Sequence, residues 1–281
     1  MKKLEDMNLV DDFLMTSLIC HQEYGDRSVR YMLECILNRR FGKLTVVPQR
    51  VMCGADPEKH GIRMDVYIDE NDGEIIDIEP DQNDGKADVK AVPRRNRFYH
   101  AKIDSANLAA GDDYSNLRNV VIFITTYDPF GLDRMVYTVK NKCIEESDMP
   151  YDDGAVSLFL YTKGKKGNPP EELKSLLHYM ENSIEENAGT DSLKVFHHMV
   201  TAVKNDGEVG LAYMKSVEIE KRIREEGREE GHRDGVRIGR IQEIVRLSRR
   251  FNKSDEEIIQ ILLEETGLGE DQARDALKKY S

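Results

Sequence analysis

Residues 62–82 read I-R-M-D-V-Y-I-D-E-N-D-G-E-I-I-D-I-E-P-D-Q. Two short β-branched runs, RMDVYI at 63–68 and EIIDIE at 74–79, flank Asp72-Gly73, a pair that favours a tight reversal, so the stretch predicts a hairpin or meander. Successive strand residues point to opposite faces, which puts Asp77, Glu79 and Asp81 on one side and Ile76 and Ile78 on the other. Asp65 stands on the preceding strand, where pairing can bring it to Glu79. Carboxylates gathered in this way are hard oxygen ligands of the kind magnesium takes. Acids at strand ends facing solvent are the commoner arrangement, so the pair needs context before it carries chemistry.

Outward from this stretch, the apolar spacing of Val10, Phe13 and Leu14 and then of Val29, Met32, Leu33, Ile36 and Leu37 predicts two opening helices, broken at Tyr24-Gly25-Asp26. TVV at 45–47 predicts a strand before the acidic pair. Residues 94–110 read as a helix ending near Gly111, and VVIFITT at 120–126 is apolar on both faces, as a buried central strand is. MVYTV at 135–139 and AVSLFLY at 155–161, with Asp153-Gly154 between them, predict peripheral strands. PPEELKSLLHYM then opens a helix with proline in its first turn.

Residues 209–249 predict one long charged helix with Gly227, Gly231, Gly235 and Gly239 at every fourth position. Each interior glycine costs about 1 kcal/mol against alanine, so the line needs an offset such as close packing between two helices, or else marks a linker that is helical only in part. Beyond it, Ser254 and Glu257 form a capping box, Gly267 ends the first helix, and Asp271 to Lys279 forms a second. The organisation expected is a core at 1–165, its helical completion at 166–208, the long charged helix at 209–250 as linker or oligomerisation element, and an acidic helical hairpin at 251–281.

The chain of 281 residues is 39% hydrophobic and 33% charged, with a net charge of −12. That acidity excludes whole-surface binding to nucleic acid, because phosphate contact requires local positive potential. Lys86, Lys90, Arg94, Arg95, Arg97 and Lys102 provide such a patch. The four cysteines form no C-x-x-C pair, which argues against a zinc site or a disulfide framework and fits a reducing compartment. Acids interrupt the N-terminal apolar residues, so neither a signal nor a membrane span is expected, and the location expected is cytoplasmic.

The strings GIRMDVYIDENDGEIIDIEPDQ, RRNRFYHAKID, GDDYSNL, VVIFITTYDPFG and YDDG, in this order across residues 9–205, together resemble the PD-(D/E)XK nuclease family transposases, also called the Rpn recombination-promoting nucleases. The resemblance implies an α/β, restriction-endonuclease-like fold with a mixed sheet flanked by helices. It also implies magnesium-dependent DNA endonuclease activity, manganese being a possible substitute, with a role in recombination or mobile-element biology. Asp65 falls on the family's first acid and Glu79 on its second. Where the family usually has glutamine or lysine two residues on, this chain has Asp81, and Gln82 comes one residue late. Either a bulge brings Gln82 into place, or Asp81 takes it as a further metal ligand. Arg94, Arg95, Arg97 and Lys102 then lie beside the site, suited to phosphate oxygens. Tyr99 and His100 occupy the family's aromatic pair; packing is the commoner role for Tyr99 and local hydrogen bonding for His100. His197-His198 is expected to be structural.

The reading is therefore a magnesium-dependent DNA endonuclease of low sequence specificity. The alternative is a nuclease fold weakened by Asp81 that acts as a DNA- or protein-binding module. DNA is the expected partner, no membrane is involved, and the 209–249 helix is the candidate homodimer contact.

Overall fold

The structure, a computed structural model, describes residues 2–52, 62–70 and 73–280; within these, the side chains at 48, 49, 51, 52, 62–66, 69 and 70 lie outside the description. Two helices open the chain, α1 (Asp12–Cys20) and α2 (Gly25–Leu37). A meander of β1 (Leu44–Met52), β2 (Ile62–Glu70) and β3 (Glu74–Asp81) follows, then α3 (Lys86–Asn107), β4 (Arg118–Thr125), β5 (Val136–Val139) and β6 (Ala155–Tyr161). The sheet order is β1-β2-β3-β4-β6-β5. Neighbours within the meander are antiparallel, β3, β4 and β6 are mutually parallel, and β5 returns antiparallel to β6. The expected mixed α/β sheet flanked by helices is present.

Side-chain alternation divides the sheet into two packed faces. On one, Ile68, Ile76, Ile78, Ile122, Ile124 and Leu160 meet α1, α2, α4 (Glu171–Glu181) and α5 (Asp191–Lys204). On the other, Tyr67, Ile75, Val121, Phe123 and Phe159 meet Val92, Tyr99 and Ile103 of α3. Helix α3 is the crossover that makes β3 and β4 parallel, and it lies on the face to which alternation assigns Asp77, Glu79 and Asp81.

The sequence predicts that α3 begins at 94, whereas it begins at Lys86 and runs through Pro93. Proline removes a backbone donor, but Val89, whose carbonyl loses it, is only half-buried between exposed Asp88 and Lys90, where water can replace the donor. The turn before β6 depends on Gly154: its φ is 76°, and a Cβ there would collide with the Leu117 carbonyl oxygen.

The chain divides into two compact units, Met1–Tyr213 and Met214–Ser281. The helix α6 (Gly207–Arg250) is continuous, including its glycine line. In the second unit, Ile241 and Val245 of α6 pack with Ile258, Ile259 and Leu262 of α7 (Asp255–Thr266) and with Ala273 and Leu277 of α8 (Glu270–Tyr280). The capping box at Ser254 and Glu257 is formed, and Gly267 closes α7 with a φ of 64°. Among the described residues no helix is long and apolar enough to cross a membrane.

Candidate metal and nucleic-acid site

Val66 of β2 pairs with Ile78 of β3, so Asp65 and Glu79 are the sequence neighbours of one cross-strand pair. The backbone of Asp65 lies in β2, while its side chain lies outside the described residues. On β3, Asp77, Glu79 and Asp81 are all buried, at 0%, 6% and 5% exposure. Burial of ionised carboxylates is costly unless hydrogen bonds or opposite charge offset it, so their surroundings define the site.

The Tyr99 phenol of α3 lies within electrostatic reach of Glu79. Burial first, then the Glu79 charge, push the Tyr99 phenol up, so it stays protonated and able to donate. Asp81 is held from three sides. Its Oδ2 accepts from the Arg95 guanidinium and, at 2.6 Å, from the Tyr127 hydroxyl; its Oδ1 accepts from the Asn83 backbone N–H at 2.9 Å. Arg95 also stacks over Phe123, its Cζ 5.0 Å from the ring centre. Burial would lower the Arg95 pKa, but the Asp81 charge and hydrogen bond outweigh it and the net direction is up. The guanidinium is charged.

The β3–β4 register runs without a bulge through Glu79 opposite Phe123 and Asp81 opposite Thr125. Gln82 is therefore one residue past the strand, and its Nε2 donates to the Val10 carbonyl oxygen. A bulge does not bring it to Glu79.

The basic residues of α3 separate by face. Val92, Asn96, Tyr99 and Ile103 point inward, and Arg95, beside them on the helical wheel, reaches Asp81. Arg94 and Arg97 are exposed, and Lys102 is half-exposed with its Nζ 5.6 Å from the Phe98 ring centre. The fold thus brings Arg95 to the acids and leaves Arg94 and Arg97 at the surface.

Sequence reasoning misses Tyr127, whose only signal is its place directly after the central strand. Asn96 carries a clearer one, a polar residue in an apolar slot of the 92, 96, 99, 103 spacing. His100 is held by local hydrogen bonds, its Nδ1 to Asn119 and its Nε2 to Ser157 at 2.8 Å. In α5, His197 contacts the Tyr179 hydroxyl at 2.9 Å. Asp128 organises the loop after β4 by accepting from the Phe130 and Asp133 backbone N–H groups and the Tyr137 hydroxyl.

Among the described residues no group of three or more His, Cys, Asp or Glu side chains is arranged to hold a metal ion. The donor chemistry of Glu79, together with the carboxylate that the sequence supplies at Asp65, fits magnesium; Asp81 is already occupied by its three donors. No family model matches the chain, and neither curated proteins nor solved structures give a match.

Proposed function

We propose that this chain is a magnesium-dependent DNA endonuclease of the PD-(D/E)XK transposase-like family, with a restriction-endonuclease-like fold and low sequence specificity. The observation that carries the reading is the row of buried carboxylates on β3, under a crossover helix whose inward cation is Arg95 and whose outer face presents Arg94 and Arg97.

Asp65 and Glu79 would hold the metal. Magnesium, when bound, neutralises charge on the phosphate and lowers the pKa of a water. The protonated Tyr99 hydroxyl would orient Glu79 by donating to it. The contacts of Asp81 favour anchoring Arg95 and Tyr127 over metal ligation. Arg94 and Arg97, with Lys102, would contact backbone phosphates rather than bases, which fits low specificity. The protein would act in the cytoplasm on DNA. On the exposed glycine edge of α6, an added Cβ at Gly227, Gly231, Gly235 or Gly239 meets nothing within 4 Å, which leaves room for a second copy of the helix.

The test is plasmid nicking with magnesium, manganese or chelator, comparing wild type with Asp65→Ala and Glu79→Ala. Metal-dependent nicking by wild type, reduced by several orders of magnitude in both variants, is expected. Asp81, standing where the resemblance expects lysine or glutamine, favours a second reading, a nuclease fold retained for binding. That reading predicts no nicking under any metal and equal DNA affinity for wild type and Glu79→Ala.

A further inference from the structure

A cleft of about 580 Å³ lies between α3 and the β5–β6 edge, lined by Asn96, Arg97, Lys140, Ser157 and the Phe130 and Phe159 rings, among others. Across the sheet, Phe123 stands between Glu79 and Phe159, and Val121 between Asp77 and Ser157. Tyr99 and Phe123 stand 6.0 Å apart and Phe123 and Phe159 5.5 Å apart, centre to centre. The floor of the cleft is a chain of hydrogen bonds whose direction can be derived link by link.

The chain begins at Asp104, whose Oδ1 can only accept from the Asn119 amide, so the Asn119 nitrogen, at 2.6 Å, is the donor. Asn119 Oδ1 is then the atom that faces His100 Nδ1, and Nδ1 carries the proton. In the neutral ring Nε2 is therefore an acceptor, and it takes the Ser157 hydroxyl proton across 2.8 Å. The Ser157 oxygen, having donated, accepts from Asn96 Nδ2 at 2.8 Å. Every proton points toward Asp104. The opposite end is Asn96 Oδ1, a carbonyl oxygen, buried, on a residue 8% exposed, which no donor reaches among the described residues. The amide cannot be turned to relieve this, because its nitrogen would then be the group without a partner and two acceptors would face each other at Ser157.

A buried acceptor at the end of a fixed chain calls for a donor from outside. The cleft adds two further requirements. Phe130 and Phe159, in edge contact at 5.0 Å, offer an aromatic wall, and Arg97 and Lys140 at the exposed lip offer cations. A planar ring bearing an amino group, joined to an anion, meets all three, and the volume lies within the range of small-molecule sites. We propose that this cleft is a binding site for a nucleoside monophosphate, with the exocyclic amine of its base donating to Asn96 Oδ1, the base against the phenylalanine rings and the phosphate toward Arg97 and Lys140. The site uses none of the carboxylates on β3 and shares only Arg97 with the face proposed to contact DNA, so its occupancy is tested apart from nicking.

The test is calorimetric titration of the full chain, without metal, with adenosine monophosphate and with purine riboside monophosphate, which differs by lacking the exocyclic amine. Saturable binding of the adenine nucleotide, with the purine analogue at least about tenfold weaker, is the expected result. Asn96→Ala, shown folded by circular dichroism, should bind both equally weakly, and Arg97→Ala should weaken both by the same factor. Equal affinity of wild type for the two nucleotides, or no saturable binding of either, would overturn the proposal. Both comparisons on wild type stand even if the Asn96 variant fails to fold, and neither outcome bears on nicking.

Discussion

Arg95 and Asp81 form an ion pair in which the carboxylate is almost wholly enclosed, at 4% side-chain exposure, while the Arg95 side chain keeps 34%. The asymmetry decides what each partner costs to remove. Arg95→Ala leaves a carboxylate buried with only Tyr127 and the Asn83 backbone for partners, and should destabilise the protein by about 2 kcal/mol, less than a fully buried pair because Arg95 is partly solvated. Asp81→Asn, which leaves the charge on the less enclosed side chain of the pair, should cost less. Urea unfolding of the two variants measures the difference.

Tyr99→Phe removes the hydroxyl that would orient Glu79 and keeps the ring in its contact with Phe123. If Glu79 holds magnesium, the concentration for half-maximal nicking should rise about tenfold or more, as for other partners of ligating carboxylates. The maximum rate at saturating metal should change less. A variant with unchanged metal dependence would detach Tyr99 from the metal site.

Gly154→Ala combines a positive φ with a collision against the Leu117 carbonyl oxygen. The left-handed conformation alone costs roughly 1–2 kcal/mol in a residue with a Cβ, and the collision adds to it, so a loss of more than about 2 kcal/mol in chemical denaturation is expected.

Burial holds the His100 pKa below its ordinary value, against the opposing influence of Asn119 and Asp104. The unfolded chain then takes up its proton at a higher pH than the folded one. Stability associated with His100 is complete above the unfolded pKa and is lost as pH falls through the folded one. His197, also held low by burial, acts in the same direction. Between about pH 7.5 and about pH 5, the melting temperature of wild type should therefore fall further than that of His100→Gln, the difference being the share of His100.

If the outer face of α3 holds DNA as proposed, the binding should be sensitive to salt. Replacing Arg94 and Arg97 together with alanine should weaken binding about equally across unrelated sequences. It should also lower the slope of log affinity against log salt by about 0.9 for each phosphate that is no longer neutralised. Fluorescence anisotropy at several ionic strengths reads both effects.

The sheet was legible because β-branched runs bounded by turn residues leave few alternatives, and the buried strand β4 because VVIFIT has no polar face. The start of α3 was not, since Pro93 reads as a boundary unless the exposure of the preceding turn is known. At the site, alternation along EIIDIEPD was enough to set Asp77, Glu79 and Asp81 against Ile76 and Ile78. The partners of those acids were not legible: Tyr127 reaches Asp81 across the β3–β4 pairing, and Arg95 differs from Arg94 only by the angle one residue turns on a helix. The register also removes the first of the two alternatives weighed for this place, Gln82 brought in by a bulge, because a bulge has no place in a ladder that is regular to Asp81.

From residue 218 to residue 240 every side chain of the long helix α6 is exposed, and four glycines fall within that span. Its backbone hydrogen bonds are supported only by intrinsic preference and by solvent-exposed i,i+4 ion pairs such as Glu220 with Arg224, and the glycines take roughly 4 kcal/mol from that. Amide hydrogens there should exchange with solvent well before those of the sheet or of the Ile241, Val245 and Leu262 cluster. Heating should give two separate transitions with a segment open to proteases between them. Melting of this chain is then two events, and its midpoint temperature is not a single number.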